Sequence, residues 1–133
     1  MANLTPRLTL TGTAASFGSA VNLSVDDTLV VGAPFSGVSR ISIATTIQDI
    51  SADLKTTQAA HTFVYLKNTE NDGGNIITIS TASGGGGSAT DPVGFATLNP
   101  GEFMFLPLKG TVGLKATANN AACILEYAYF SRS

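Results

Sequence analysis

The residues of this sequence that could carry out chemistry are few. One histidine, His61, and one cysteine, Cys123, are present, and there is no tryptophan. A zinc site built from several His or Cys ligands is therefore not available, and no nucleophile-elbow motif supports a Ser-His-Asp triad around His61. Cys123 lies in the apolar run 121–125, where a small buried side chain is a better interpretation than a nucleophile. We expect no enzyme activity, no cofactor and no metal.

The acidic residues form no recognisable site either. A glycosidase needs two carboxylates across a cleft, but most acids here are Asp residues in predicted turns. Segment 68–73 places oxygen-bearing side chains before Gly73 as a calcium loop does, yet Ile79 stands where an EF-hand needs a bidentate acid. We interpret 68–73 as a polar turn. Asp26 and Asp27 could bind a cation at an interface, but adjacent acids at a strand end are typical of a solvated turn.

The glycine tract 84–87 invites comparison with a phosphate-binding loop. The sequence that follows it, Ser-Ala-Thr-Asp-Pro at 88–92, offers neither the lysine nor the helix that a P-loop requires. We therefore predict a flexible surface loop.

The composition excludes several further classes of protein. Charged residues make up 12% of the 133 residues, with a formal net charge of −2, whereas a typical soluble domain is about 25% charged. Disordered chains are charge-rich and poor in aliphatic residues, and nucleic-acid binders need a basic surface, so neither class fits. No apolar run approaches the roughly 18 residues of a membrane-spanning helix, and segment 1–7 lacks the features of a secretory signal. The single cysteine is consistent with a reducing cytosol.

The elements that must position these residues are predicted to be strands. Thr, Val, Ile and aromatic residues dominate the apolar segments, and Gly, Pro, Asn and Asp separate them. The predicted strands cover residues 7–11, 19–25, 28–31, 38–46, 61–68, 76–79, 93–98, 102–108, 111–117 and 122–130. The first two alternate clearly, so that Leu8 and Leu10 share one face and Val21, Leu23 and Val25 share another.

The connections are predicted from turn-forming residues. Gly32-Ala33-Pro34 should end one strand, and segment 70–75 should form a hairpin between two strands. Segment 47–57 is predicted as a loop with at most one helical turn, which Ser51 could cap.

This pattern predicts an all-β fold of about nine or ten short strands, an antiparallel β-sandwich or jelly roll. The length fits one domain, on the prior of about 100–200 residues per domain. We expect residues 1–12 to form an extended N-terminal arm or a first strand, and residues 13–133 to form a single sandwich domain.

Two predicted strands are apolar on both faces. In one of them Phe103 and Phe105 point one way and Met104 and Leu106 point the other, and segment 123–130 is similar. A sandwich has one core, so the outer face needs its own cover, either a loop of the same domain or another subunit. Interface cores are poor in charge and rich in aromatic residues and Met, which makes these four residues a candidate subunit interface.

Two segments occur in a familiar combination. Residues 65–69 (Tyr-Leu-Lys-Asn-Thr) and 98–108 (Leu-Asn-Pro-Gly-Glu-Phe-Met-Phe-Leu-Pro-Leu) are followed by a Gly-Leu-Lys-Ala strand at 113–116 and a closing Glu-Tyr strand. This combination resembles small virion proteins of tailed bacteriophages, above all capsid decoration (cement) proteins, and next small tail or fibre proteins. The resemblance covers roughly residues 60–130. It carries over no functional residue, and the first sixty residues contain no matching motif.

The resemblance implies a non-enzymatic protein, often a homotrimer, that binds the major capsid protein on the capsid surface after synthesis in the host cytoplasm. Such a protein would act by area burial, and repetition over the shell would add avidity. The candidate capsid-contacting arm consists of Met1, Ala2, Asn3, Leu4, Thr5, Pro6 and Arg7.

The alternative function is a small tail or fibre protein that binds a receptor or glycan through Tyr, Asn and Asp side chains near residues 68–75. The absence of tryptophan counts against glycan binding. A hydrolase is a third and less favoured class. We expect neither a nucleic-acid partner nor a membrane partner.

Overall fold

The computed structural model describes residues 2–14, 18–54, 61–71, 73–82, 94–109 and 113–132. Within them the chain is almost wholly β-structure, with one four-residue helix, α1 (Ser51–Leu54), between the sixth and seventh strands. The strands are β1 (Ala2–Leu4), β2 (Arg7–Gly12), β3 (Val21–Asp26), β4 (Leu29–Phe35), β5 (Ser39–Ile43), β6 (Gln48–Asp49), β7 (His61–Asn68), β8 (Ile77–Ala82), β9 (Gly94–Leu98), β10 (Phe103–Pro107), β11 (Gly113–Ala118) and β12 (Cys123–Arg132). The all-β prediction is confirmed.

Two antiparallel sheets make up the body of the protein. The larger has the order β1-β4-β12-β7-β10, with β5 also paired to β12, and the smaller has the order β6-β11-β8-β9. Their inner faces share one core. Val64 and Leu66 of β7 contribute from the larger sheet, and Ile79 of β8 and Leu114 of β11 contribute from the smaller, all with no exposed surface. The sheets therefore pack face to face as a sandwich, and the jelly-roll connection pattern stays a prediction.

A third, two-stranded sheet of β2 and β3 extends one pairing of the larger sheet. The β1–β4 and β2–β3 pairings share a single register, which runs from Ala2 opposite Val31 to Gly12 opposite Val21. The backbone N–H of Asp27 donates to the carbonyl of Pro6 at 3.2 Å, where the two ladders meet. The four strands are thus one long ribbon. Its β1–β4 part lies in the larger sheet, and its β2–β3 part continues beyond that sheet for six residues per strand, or about 20 Å.

The prediction that Gly32-Ala33-Pro34 ends a strand is wrong. β4 continues to Phe35, which pairs with Phe130, while Gly32 pairs with Ser131. The register therefore skips two residues of β4 at this point. Proline cannot donate a ladder hydrogen bond and is tolerated at a bulge, and this irregularity in the pairing accommodates Pro34.

The predicted hairpin at residues 70–75 is also wrong. β7 pairs with β10 and β12 in the larger sheet, whereas β8 pairs with β9 and β11 in the smaller. The segment between them carries the chain from one sheet to the other. The turn residues identify where the chain changes direction, but the inner faces of β7 and β8 are both needed in the shared core, so the strands lie opposite each other instead of side by side.

The helical turn expected within 47–57 is confirmed as α1, but its capping is different. The carboxylate of Asp49 accepts a hydrogen bond from the backbone N–H of Ser51 at 2.8 Å. The Ser51 hydroxyl is buried and turns to β11, where it donates to the carbonyl of Leu114 at 3.1 Å and accepts from its N–H at 2.8 Å. Hydrogen bonding from Ser51 lowers the pKa of Asp49. The two bonds between Ser51 and Leu114 attach α1 to the smaller sheet.

Candidate assembly surface

The projecting part of the ribbon, β2–β3, has one wholly apolar face. Leu8 lies opposite Val25 and Leu10 opposite Leu23, and directly opposed residues of antiparallel strands share a face. With Val21 these aliphatic side chains are 38–50% exposed. The strict alternation is typical of a strand buried on one side, yet in the single chain this face meets solvent. We call these five residues the ribbon face.

The opposite side of the same ribbon is polar. Thr9 lies opposite Ser24, Thr11 opposite Asn22, and Arg7 opposite Asp26. The charged residues of the projecting part lie at the end nearest the larger sheet, which we call the root. The far end, the tip, carries only hydroxyl and amide groups on this side. The ribbon is therefore amphipathic, with a solvated side and a side that lacks its cover.

The outer face of the larger sheet carries a second apolar surface, on β10. Phe103 is 63% exposed and Phe105 38%, and the ring of Phe105 stacks on that of Phe63 with centroids 5.7 Å apart. Met104 and Leu106 face the other way and pack against the core. Of the four candidate interface residues, Phe103 and Phe105 lie on an accessible face. The other two are packed against the core. Their interface role stays a prediction.

The two apolar surfaces adjoin at an open groove of about 560 Å³. One wall is the ribbon root, formed by Pro6–Leu8 and Val25–Asp27, and the other is Phe103–Phe105 of β10. The groove walls are mainly apolar, and the charged groups, Arg7, Asp26 and Asp27, come from the ribbon root. Asp27 accepts a hydrogen bond from the N–H of Thr28 at 2.7 Å. The turn predicted at Asp26-Asp27 is wrong, because the chain passes from β3 to β4 there without a change of register.

A polar cluster lies on the same outer face, beside the aromatic residues. Glu126 of β12 accepts hydrogen bonds from the guanidinium of Arg40 at 3.1 and 3.2 Å and from the hydroxyl of Tyr65 at 3.2 Å. Burial, followed by the hydrogen bond to Glu126 and the charge of Glu126, raises the pKa of Tyr65. Because the ion pair is solvent-exposed on the Arg40 side, it contributes little to stability, and its main effect is to fix the Tyr65 ring next to β10.

Comparisons with models of protein families, with curated proteins and with solved structures find no match.

One residue that sequence reasoning missed, Asn68, connects the two segments that carry the phage resemblance. Its side chain has no exposed surface and its amide nitrogen donates to the carbonyls of Asn75 at 2.7 Å and Leu98 at 3.0 Å. Its Oδ1 accepts from the N–H of Glu70 at 3.1 Å, and its backbone carbonyl accepts from Gly101 at 3.1 Å. The Lys-Asn-Thr and Asn-Pro-Gly segments are therefore one structural corner. The one sequence feature that could have indicated this corner is the position of Asn68 next to turn-forming residues.

The turn at this corner explains its Pro and Gly. The backbone N–H of Glu102 donates to the carbonyl of Asn99 at 3.0 Å, and Gly101 has φ of 80°. Pro100 followed by a residue with positive φ is the signature of a type II turn, which favours glycine at that position. The carboxylate of Glu102 accepts from both the backbone and side-chain nitrogens of Asn99 at 2.8 and 3.0 Å. The Pro-Gly motif therefore forms a tight turn at the start of β10.

Among the described residues, the remaining candidates for chemistry form no cluster. Cys123 is buried in the core, as expected, and burial, with a smaller effect of Glu70, raises the pKa of its thiol, which disfavours the thiolate nucleophile. Among the described residues no cluster of His, Cys, Asp and Glu could hold a metal, and no helix is long and apolar enough to cross a membrane. The side chain of His61, the glycine tract 84–87 and Asp72 of the calcium-like segment lie outside the described residues.

The candidate capsid-contacting arm is part of the ribbon. Ala2–Leu4 form the edge strand of the larger sheet, Thr5 and Pro6 join the two ladders, and Arg7 begins β2. Met1 lies outside the described residues. The structure thus places Ala2–Leu4 in a strand that, within the described part of the chain, is paired on one side, and the contact of this segment with a capsid stays a prediction.

Proposed function

We propose that this protein is a non-enzymatic structural protein of a tailed-phage particle, a cement protein that binds the major capsid protein and stabilises the head. The observation that supports this best is the extent of apolar surface that the folded chain leaves uncovered, namely the ribbon face together with Phe103 and Phe105. Contiguous apolar patches of this kind mark interaction sites. The low charged fraction agrees with a protein whose surface is largely covered by neighbours.

The arm offers a contact surface for the shell. Ala2, Asn3 and Thr5 are exposed, and β1 lies at the end of the larger sheet, where β4 is its one partner among the described strands. A partner segment could extend the sheet at this edge by backbone hydrogen bonds, which are a common mode of strand recognition. Contact through the edge leaves the ribbon face free for a different neighbour.

The test uses heads assembled from the co-encoded major capsid protein without this protein. We expect the purified protein to bind them saturably and to raise the temperature at which they lose their contents. Thr5→Asp, which places a charge beside the free edge between the two ladders, should weaken binding. Thr97→Asp adds the same charge to an exposed position of β9 in the other sheet and should bind as wild type does.

Absence of saturable binding to heads would overturn the proposal, as would binding that leaves their heat resistance unchanged. The alternative is a tail or fibre protein that binds a glycan near residues 68–75. Asn68 is used internally at this corner, which removes one of the side chains that this alternative needs. A specific signal for the purified protein on a glycan array, without head binding, would favour the alternative.

A further inference from the structure

The ribbon face has a pattern of residues that only burial explains. From Leu8 to Leu10 in β2 and from Val21 to Val25 in β3, every second residue is aliphatic and lies on the ribbon face. The residues between them are all polar and lie on the opposite side. None of these five aliphatic residues belongs to the core cluster of the described chain. A two-stranded sheet without a covering layer is at best marginally stable in water. The projecting ribbon therefore needs a covering layer whenever the protein is folded.

We propose that the ribbon face is a homo-oligomer interface, covered by the ribbon face of a second copy of this chain. The requirement for permanent cover favours this occupant, because another copy is always present where the chain folds. The chemistry of the face agrees. It carries no charged or hydrogen-bonding side chain, whereas interfaces between transient partners are about as polar as ordinary protein surface, and permanent ones are more apolar.

Charge also favours a second copy. The charged residues of the projecting ribbon, Arg7 and Asp26, face each other at its root, and Asp27 follows them. If two ribbons lie antiparallel, the root of each lies beside the uncharged tip of the other, and no like charges meet. With a formal net charge of −2 per chain, long-range repulsion between copies is small.

The area of the ribbon shows that the contact must extend further. Six residues per strand and two strands about 4.8 Å apart give a footprint of roughly 200 Å², whereas a stable interface buries about 800 Å² per partner. The groove with Phe103 and Phe105 adjoins the ribbon face at Leu8 and Val25. The interface therefore includes both surfaces, and the groove of one copy accepts residues from the other.

The test is the mass of the purified full chain, measured by sedimentation over a range of concentrations. It does not involve heads, so it can fail or succeed independently of the proposed function. We expect a dimer or larger oligomer. Leu10→Thr with Leu23→Thr changes a directly opposed pair on the ribbon face. It should raise the protein concentration at which half of the oligomer dissociates by roughly 100-fold. Thr9→Ala with Ser24→Ala, the neighbouring opposed pair on the polar side, should leave it within a few-fold.

A second measurement addresses loss of folding in the Leu variant. Leu10→Cys should be cross-linked between copies by a short bis-maleimide reagent, which spans the roughly 10 Å between two packed sheets, while Thr9→Cys should not, and Cys123 is buried and does not compete. A monomeric wild-type chain at all accessible concentrations overturns the proposal. So does an oligomer that the Leu pair and the Thr–Ser pair weaken equally, or one that Thr9→Cys cross-links as readily as Leu10→Cys. Weakening by Phe103→Ser that is less than additive with the Leu pair would support a shared interface.

Discussion

Replacement of Asn68 by alanine tests the corner on which β7, β8 and β10 converge. The substitution removes two donated hydrogen bonds, to the carbonyls of Asn75 and Leu98, and one accepted bond, from the N–H of Glu70. The Leu98 bond is buried and the other two are partly buried. A buried group that loses its partner costs about 1–3 kcal/mol, and water can reach the partly buried groups in the variant. The expected loss of unfolding free energy is about 3–5 kcal/mol.

That loss is a large share of the roughly 5–15 kcal/mol that stabilises an ordinary domain. It corresponds to a fall in melting temperature of about 10–20 °C for a chain of this size. Guanidinium unfolding followed by circular dichroism measures it, provided that the slope with denaturant concentration is unchanged. The matched control is Asn71→Ala, three residues along the same crossover, where the side chain is exposed and the change should cost less than about 0.5 kcal/mol.

A loss below about 1 kcal/mol for Asn68→Ala, or one equal to that of Asn71→Ala, would refute the assignment of the corner to this amide. Asn68→Asp gives an independent check. Its carboxylate would face the carbonyls of Asn75 and Leu98 without a proton to donate, so its pKa in the folded state should be raised. Because the protonated form is the one that folds well, this variant should gain stability relative to wild type as pH falls, and lose it as pH rises through that raised pKa.

Three other features give predictions. The pKa of Asp49 lies below its ordinary value of 3.8 because Ser51 donates hydrogen bonds to it. The stability that the Asp49 carboxylate contributes should therefore be present above pH 3.8 and lost as pH falls through the lowered pKa. Asp49→Asn should flatten this part of the curve of unfolding free energy against pH. Cys123 should react with a thiol reagent at pH 8 only at the rate of unfolding, and rapidly in denaturant, and fast reaction of the native protein would contradict its burial. Gly101→Ala should cost about 1 kcal/mol because of the positive φ, although nothing crowds its side-chain position. Gly37→Ala, equally uncrowded and without a positive φ, should be close to neutral in the same denaturant titration.

Alternation along the sequence predicts the strands well because a strand that is buried on one side displays its period of two directly. Leu8 and Leu10, and the three aliphatic residues of β3, show it, and the structure has a strand in each place. The sequence does not reveal which surface covers them, since burial by another element and burial by a neighbour select the same residues. The ribbon face was therefore visible as a pattern but not as an unpaired surface.

Turn residues predict where the chain bends and leave open which sheet receives it. Segment 70–75 has the composition of a hairpin, yet it joins two sheets, because the partner of a strand is decided by long-range packing of its inner face. Asn68 could not be identified from its own position, since its hydrogen-bond partners are brought near by the fold from as far as Leu98. The division of β10 into a core side and an exposed side was predictable in outline, but its partners at the interface were not.

The unbroken register from Ala2–Val31 to Gly12–Val21 has a consequence for the order of folding. Both halves of the ribbon lie within the first thirty-one residues, so it can close as a local hairpin, a process that takes about 1–10 μs. The larger sheet depends instead on contacts such as β4 with β12, which are distant in sequence and form more slowly. Zippering from the tip toward the root would deliver β4 already joined to β1. We expect the ribbon to close early but transiently, and to become stable only as the rest of the larger sheet is added to it strand by strand.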